Sequence, residues 1–261
     1  MSTFLVIGGT GKTGRRVVER LTGGGHEVRI ASRATGFDWA RPEYDLTAVD
    51  GVFLTVPGQD PRNPERVAAL LSGYRGRAVL LSARAVEFHP DGALAAVEDA
   101  VRGHTILRPS WFVQNFTEGF LQPDADGVVT APTGDGREPF VDLDDVADVA
   151  ATALTQPGHE GVTYELSGPE AITFAEAAER VGGTFVAADP DTYAASLDLP
   201  AEYVAWRMAM FDAIREGRDA RVSRGVEDAL GRPARPFSQP AGLRKQAASG
   251  VATRKLKLSS R

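Results

Sequence analysis

Phe4-Leu5-Val6-Ile7-Gly8-Gly9-Thr10-Gly11-Lys12-Thr13-Gly14 is the stretch that decides the fold. Four consecutive apolar residues read as a buried strand, spaced glycines follow, and a helical pattern then sets Val17, Val18 and Leu21 on one face. The segment satisfies both G-x-G-x-x-G (Gly9, Gly11, Gly14) and G-x-x-G-x-x-G (Gly8, Gly11, Gly14). Each glycine has a mechanical reason to be there, whether a sharp turn off the strand, close approach of main chain to a diphosphate, or tight packing of helix on strand. The helix then aims unpaired amides and a partial positive charge at the phosphates, so a bound dinucleotide is expected. Gly11-Lys12-Thr13 also imitates the end of a P-loop. The imitation fails, because G-x-x-x-x-G-K-[ST] needs its first glycine where this chain has Val6.

Outward from that loop, short β-branched runs alternate with helical patterns as far as residue 107. Strands are expected over 4–7, 27–31, 52–56, 78–82 and 105–107, with helices over 13–21, 64–71 and 94–101. Parallel strands need right-handed crossovers, so helices must cover both faces of the sheet. Residues 33–50 are too few for a full strand-helix-strand unit, and one helix there is short or missing. The expected class is therefore α/β, a Rossmann-type doubly wound parallel sheet with a smaller C-terminal substrate lobe. The dinucleotide-binding core is placed at 1–130, the substrate lobe at 131–237 within the same compact unit, and a basic tail at 238–261. In the lobe, Thr173-Phe174-Ala175-Glu176 forms a capping box. Residues 200–216 carry Tyr203, Trp206, Met210, Phe211 and Ile214 at helical spacing, closed by Gly217, a stripe that reads as core. Asp142 and Asp145 are expected to cap a helix over 146–154.

Composition excludes several classes. With 261 residues, 43% apolar and 25% charged, the chain has ordinary globular proportions, and no apolar run approaches the roughly 20 residues of a membrane span. The start runs straight into a strand without the pattern of a secretory leader. No cysteine is present, which excludes disulfides, thiolate metal sites and a cysteine nucleophile, and suits a cytoplasmic location. No metal is expected. A net charge of −6 argues against nucleic acid as a partner. The acidic residues stop at Asp228, and the basic ones continue from Arg232 to Arg261 in what reads as a solvated tail, with contact to an anionic partner as the alternative.

Which dinucleotide binds depends on the end of the second strand, where an acidic residue would take the ribose hydroxyls of NAD. This chain has Ala31-Ser32-Arg33 instead. The planar fork of Arg33 suits a 2′-phosphate and Ser32 can donate a hydrogen bond to it, so NADP(H) is the expected cofactor. Lys12 adds charge near the phosphates.

A more specific resemblance lies in Thr105-Ile106-Leu107-Arg108-Pro109-Ser110-Trp111-Phe112-Val113-Gln114-Asn115-Phe116, in Thr55-Val56-Pro57 and in Pro139-Phe140-Val141-Asp142-Leu143-Asp144-Asp145-Val146-Ala147. With the glycine loop and Arg33, these strings resemble the NmrA-like branch of the atypical short-chain dehydrogenase/reductases. The resemblance runs from about Phe4 to about Phe237. Within that branch the chain is most similar to the subgroup of festuclavine and agroclavine dehydrogenases, which begins with the same G-G-T-G-K-T-G. It implies an NADPH site at Gly8 to Gly14 and Arg33, with Thr55, Val56 and Pro57 along the dinucleotide and Ser82 and Ala83 near the nicotinamide ribose. Pro109, Ser110, Trp111 and Phe112 would border the nicotinamide, with Trp111, Phe112 and Asn115 toward a small hydrophobic substrate; Asn115 is equally readable as a helix cap.

Ordinary members of the superfamily protonate an alkoxide with a Tyr-x-x-x-Lys pair. No such spacing exists here, and where the family's central helix offers a lysine, four residues before Glu98, this chain has Leu94. A cationic imine needs no proton donor, which matches the substrate type of the ergot subgroup; the expected reaction is NADPH-dependent reduction of an imine, iminium or conjugated carbonyl in secondary metabolism. Carboxylates that favour a cation would help, and the candidate contributors are Ser110, Trp111 through cation–π contact, Glu87 and His89. His89, ahead of Pro90 in a loop, reads more readily as a surface histidine than as a proton donor. A non-catalytic NADP(H)-sensing regulator and a fold repurposed for cyclisation or isomerisation stay open as alternatives, as does the oligomeric state.

Overall fold

The computed structural model describes residues 1–57 and 60–238, so nearly all of the expected basic tail lies outside the described residues. In chain order the strands are β1 (Thr3–Ile7), β2 (Glu27–Ala31), β3 (Gly51–Thr55), β4 (Arg77–Leu81), β5 (Thr105–Pro109), β6 (Val128–Ala131), β7 (Arg137–Glu138), β8 (Thr163–Leu166), β9 (Ile172–Thr173) and β10 (Thr184–Ala187). The helices are α1 (Lys12–Gly23), α2 (Asn63–Leu70), α3 (Ala93–Ala100), α4 (Asn115–Glu118), α5 (Leu143–Thr155), α6 (Phe174–Arg180), α7 (Pro190–Ser196), α8 (Ala201–Arg215) and α9 (Gly225–Leu230).

Six strands form the main sheet in the order β2-β1-β3-β4-β5-β8, and every pairing in it is parallel. Side chains alternate between its two faces as the pleat requires. Phe4, Val6, Phe53, Val79 and Leu107 pack with α1, α5 and α9 on one side. Leu5, Ile7, Val52, Leu54, Leu80 and Ile106 pack with α2 and α3 on the other. Both faces are covered, which is why these strands read as unbroken apolar runs. The chain leaves β1 first for β2 on one side and then for β3 on the other. The strand order therefore reverses at β1, and ligands of such sheets bind beyond the carboxyl ends at that point.

The compressed stretch goes further than expected. Between β2 and β3 only a 3₁₀ turn (Arg33–Thr35) and an isolated bridge, Asp38 with Arg41, are present. Helix and outer strand are both absent there, and β2 is left as the sheet edge. Phe37 and Val49, with Trp39, Tyr44 and Leu46 partly buried beside them, cover the face that a helix would have covered.

The chain beyond residue 130 feeds two layers. α5, β8 and α9 return to the main sheet, while β6 with β10, β7 with β9, and α6 to α8 build the smaller lobe. Its core includes Phe116, Phe140, Phe174 and Phe211 and is shared with Ala85 and Trp111, from the loops that follow β4 and β5. The lobe is thereby seated at the carboxyl edge of the sheet. The capping box forms as expected: Glu176 N–H donates to Thr173 Oγ1 at 3.1 Å, and Thr173 N–H donates to Glu176 Oε2 at 2.7 Å. The cap of α5 is Asp142 alone, accepting from Asp144 N at 2.7 Å. Asp145 is no cap. It is fully buried one turn inward and accepts from Arg235 N at 2.6 Å, tying the segment after α9 to the helix. α8 also departs from the expected reading, since Met210, Phe211 and Ile214 enter the core but Tyr203 and Trp206 stay half-buried as a cavity wall. No described helix is long and apolar enough to cross a membrane.

Candidate active site

The glycine loop turns off β1 as its sequence demands. Gly8 has a positive φ of 80°, and a Cβ there would lie 2.0 Å from Thr55 Oγ1. At Gly14 a Cβ would lie 2.2 Å from the carbonyl oxygen of Gly8, so only glycine lets α1 pack this close to the loop. Gly11 is different: a Cβ would meet nothing nearer than Gly8 O at 3.2 Å, which leaves bare main chain on the open side. Gly11 is also the N-cap of α1, with no side-chain cap and no acidic residue in the first turn. Unclaimed amides and an uncompensated helix dipole thus face outward, and this cradle fits a diphosphate.

A cleft of about 680 Å³ runs from this loop toward β2, lined by Gly8, Thr10, Gly11, Ser32, Arg33, Thr55, Val56 and Pro57 among others. Arg33 is exposed and makes no ion pair among the described residues. Ser32 N–H donates to Thr35 Oγ1 at 2.8 Å, which fixes the turn that presents Arg33. Thr55 Oγ1 donates to Ile7 O at 3.1 Å and pins β3 to the start of the loop. Pro57 O accepts from Asn63 Nδ2 at 3.0 Å. Of the expected cofactor residues, Gly8, Thr10, Gly11, Ser32, Arg33, Thr55, Val56 and Pro57 are brought together in one cleft; Gly9, Thr13 and Gly14 are not part of its lining, and Lys12, expected near the phosphates, lines the neighbouring cavity instead.

A second cavity of about 300 Å³ opens beside the first and shares Thr55 and Val56 with it. Ser82, Ala83, Pro109, Ser110, Trp111, Phe112 and Asn115 all line it. Several of these hydroxyls and amides are already committed. Ser110 Oγ donates to Pro139 O at 2.6 Å, so it is held as a structural donor instead of a free acid. Ser82 Oγ donates to Glu98, which is clamped in turn by Arg108 at 2.5 Å. Asn115 begins α4 without capping it, and its Oδ1 accepts from Lys12 Nζ at 2.6 Å. Lys12 is thus drawn over the Phe112 ring, 5.3 Å from its centroid, into the wall of this cavity. Burial holds its ammonium below the ordinary lysine value, with Arg16 adding to the effect and Glu118 opposing it. Trp111 is packed edge-on against Phe120 and Phe174.

Glu87 and His89 do not reach the cavity. The loop after β4 turns them away; Glu87 pairs with Arg221 at 3.0 Å on the outside, and His89 Nε2 is buried without a hydrogen-bond partner among the described residues. In their place the same loop delivers Arg84, fully buried, whose Nη1 donates to Asp219 Oδ1 at 3.1 Å and to Arg221 O at 2.9 Å. Glu138 stands beside this pair and accepts from Trp111 N at 3.0 Å. Arg207 of α8 completes the charged lining. Sequence reading missed Arg84, Asp219, Glu138 and Arg207, because nothing in their local spacing marks them; they meet only through packing. The expected carboxylate field is reversed. Lys12 and Arg207 face the cavity without a carboxylate partner in it, and its one acid, Asp219, is already bound to Arg84.

The fold and site together define a Rossmann-type dinucleotide-binding protein with a second cavity beside the cleft at its glycine loop. No family model matches the chain. It is 34% identical to the (4-alkanoyl-5-oxo-2,5-dihydrofuran-3-yl)methyl phosphate reductase of Streptomyces griseus, over 90% of this chain and 95% of that one. It is 29% identical to the agroclavine dehydrogenase of Claviceps fusiformis, over 90% and 95% of the two chains. The triphenylmethane reductase of Citrobacter, solved with NADP(H), shares its fold with a TM-score of 0.70 at 22% identity, over 94% of this chain and 99% of that one. The chain belongs to the NmrA-like branch of the atypical short-chain dehydrogenase/reductases.

Proposed function

We propose that this protein is an NADP(H)-dependent reductase of a small hydrophobic conjugated carbonyl, working in the cytoplasm in secondary metabolism. The observation that carries this reading is the shared wall of the two cavities at Thr55 and Val56, which sets an acceptor pocket against the end of a nucleotide cleft. A nucleotide sensor has no need of such a pocket. Gly8 to Gly14 would hold the diphosphate, and Ser32 and Arg33 the 2′-phosphate. The cofactor, when bound, supplies the hydride. Pro109, Trp111 and Phe112 exclude water from the acceptor.

Between the two acceptor types raised by the sequence, the electrostatics favour the conjugated carbonyl. Reduction of such an acceptor builds negative charge on oxygen, and the cation Lys12 is in place to stabilise it in a cavity whose lining also carries Arg207. An iminium would meet those same cations with no free carboxylate to offset them. With Ser82 and Ser110 committed and Leu94 on the wall, Lys12 and Tyr203 are lining residues able to supply a proton. The phosphate reductase and the NAD(P)H azoreductase of Xenophilus azovorans among the relatives support a reductive role, and the cysteine-free composition supports a reducing compartment.

Calorimetry with NADPH and NADH, followed by nicotinamide absorbance with a panel of cyclic enones and cyclic iminiums, tests the proposal. Tighter binding of NADPH is expected, lost by about tenfold to a hundredfold in Arg33→Ala, which removes a charged hydrogen bond of about 1.5–3 kcal/mol. Turnover is expected with enones. No heat from either nucleotide, or turnover of iminiums alone, overturns it.

A further inference from the structure

We propose that Arg207 is a docking residue for an oxyanion substituent, a phosphoryl or carboxylate group, carried by the acceptor at a position remote from the reacting carbon. This rests on the reductase reading and narrows its substrate class from any conjugated carbonyl to an anionic one.

Arg207 is held by the aromatic rings around it. It projects from α8 into the cavity lining, and its guanidinium stacks over Phe120 at 4.3 Å and over Tyr203 at 5.5 Å. Both rings line the same cavity. Phe120 is 45% exposed, unusual for so large an apolar side chain, and is propped by Trp111 with ring centroids 5.6 Å apart. Two aromatic rings thus hold the guanidinium in place, and its N–H groups make no hydrogen bond among the described residues. No carboxylate pairs with it among the described residues, whereas Arg215 further along α8 is paired with Asp212 at 2.7 Å and Arg218 with Glu216 at 2.8 Å.

The surrounding charges point the same way. Those facing the cavity are Lys12, Arg84, Arg207 and Asp219. Asp219 is bound by Arg84 at 3.1 Å and is 3% exposed, so it cannot serve Arg207 as well. A planar fork already held between two rings takes a two-oxygen anion in bidentate fashion at reduced entropic cost. Lys12 lies on the side of the cavity formed by Phe112 and Asn115, where the acceptor oxygen belongs in the proposed reaction. The two free cations therefore divide the work: Lys12 serves the reacting carbonyl, and Arg207 serves an anchor on the same molecule.

The test uses 2-cyclopentenones bearing a neutral hydroxymethyl, a carboxymethyl or a phosphonomethyl group, and the saturated cyclopentanones as binding probes in calorimetry. At low salt the anionic enones are expected to show KM at least tenfold below the neutral one, with similar kcat, and the saturated anionic probes to bind correspondingly tighter. The margin should shrink as salt rises in the unaltered protein, a readout that needs no variant. Arg207→Ala should erase the margin and Arg207→Lys should keep part of it, each with an unchanged heat of NADPH binding as evidence of an intact fold. A margin in the phosphonate arm alone assigns a phosphoryl group, and one in both arms shows that a carboxylate suffices. Equal KM and equal binding for anionic and neutral probes overturn the proposal, as does a margin that survives in Arg207→Ala. Absence of NADPH binding sinks the reductase reading instead, and the saturated probes then still report on Arg207.

Discussion

Glu138 shows how a single residue couples the pocket to stability. Its carboxyl is wholly buried and accepts the amide of Trp111 at 3.0 Å. Burial first, and the neighbouring Asp219 second, push its pKa well above the ordinary 4.5, so folding favours its protonated form. The folded protein then binds a proton that the unfolded chain releases. This contribution to stability is complete below the ordinary carboxylate value and declines as pH rises toward the raised one. Asp219 is raised too, by burial against the opposing pull of Arg84, and acts in the same direction. Glu138→Gln, which mimics the protonated form, is expected to keep the fold and flatten the fall of Tm with rising pH. Glu138→Leu should cost about 1–3 kcal/mol by leaving the Trp111 amide without an acceptor. Thermal melts across pH decide this, and an unchanged slope in Glu138→Gln contradicts it. Residues of this kind, Arg84, Asp219 and Arg207 included, carry no local signature. Gly8, Gly11 and Gly14 do, because the strand, their spacing and the helix start lie within one short stretch of chain.

At the scale of elements, α1, α5 and the segment after α9 are bound by one network. Arg20 of α1 reaches Asp144 and Asp148, each at 2.7 Å. From the other side, Arg232 reaches Asp145 at 2.7 Å and Asp148 at 2.6 Å, and Arg235 meets both aspartates as well. Asp145 is fully buried, so its partners matter more than those of an exposed pair. Joint replacement of Arg232 and Arg235 by alanine should cost about 3 kcal/mol, since it strands a buried carboxylate. Arg102→Ala, which breaks an exposed pair with Asp99, should change stability by less than about 1 kcal/mol. Denaturant titration of both variants checks the contrast. The aspartates of α5 were legible as helix-start residues, but which one caps and which one anchors a distant segment was not. Likewise the periodicity of α8 shows that a helix forms; it does not show that one half enters the core while the other walls a cavity.

At the scale of the whole molecule, the cleft proposed for the nucleotide draws on β1, β2 and β3, and the pocket proposed for the acceptor draws on the carboxyl edge of the sheet and the lobe together. Any ligand that fills the cleft should stabilise the entire unit. NADPH at a hundredfold excess over its Kd is expected to add about 2.7 kcal/mol, seen as a rise in Tm, and NADH at equal concentration distinctly less. Equal shifts for the two nucleotides would contradict the role given to Arg33. The parallel sheet, the phosphate loop and the choice of Arg33 over an acidic residue follow from sequence alone, because strand, turn and helix N-terminus are contiguous and their periodicities and glycine spacings are local constraints. The missing outer strand, the seating of the lobe, the withdrawal of Glu87 and His89 and the cationic lining of Lys12 and Arg207 were decided only by tertiary structure. They depend on how loops after separate strands pack against helices far along the chain, and no spacing within one segment encodes that geometry.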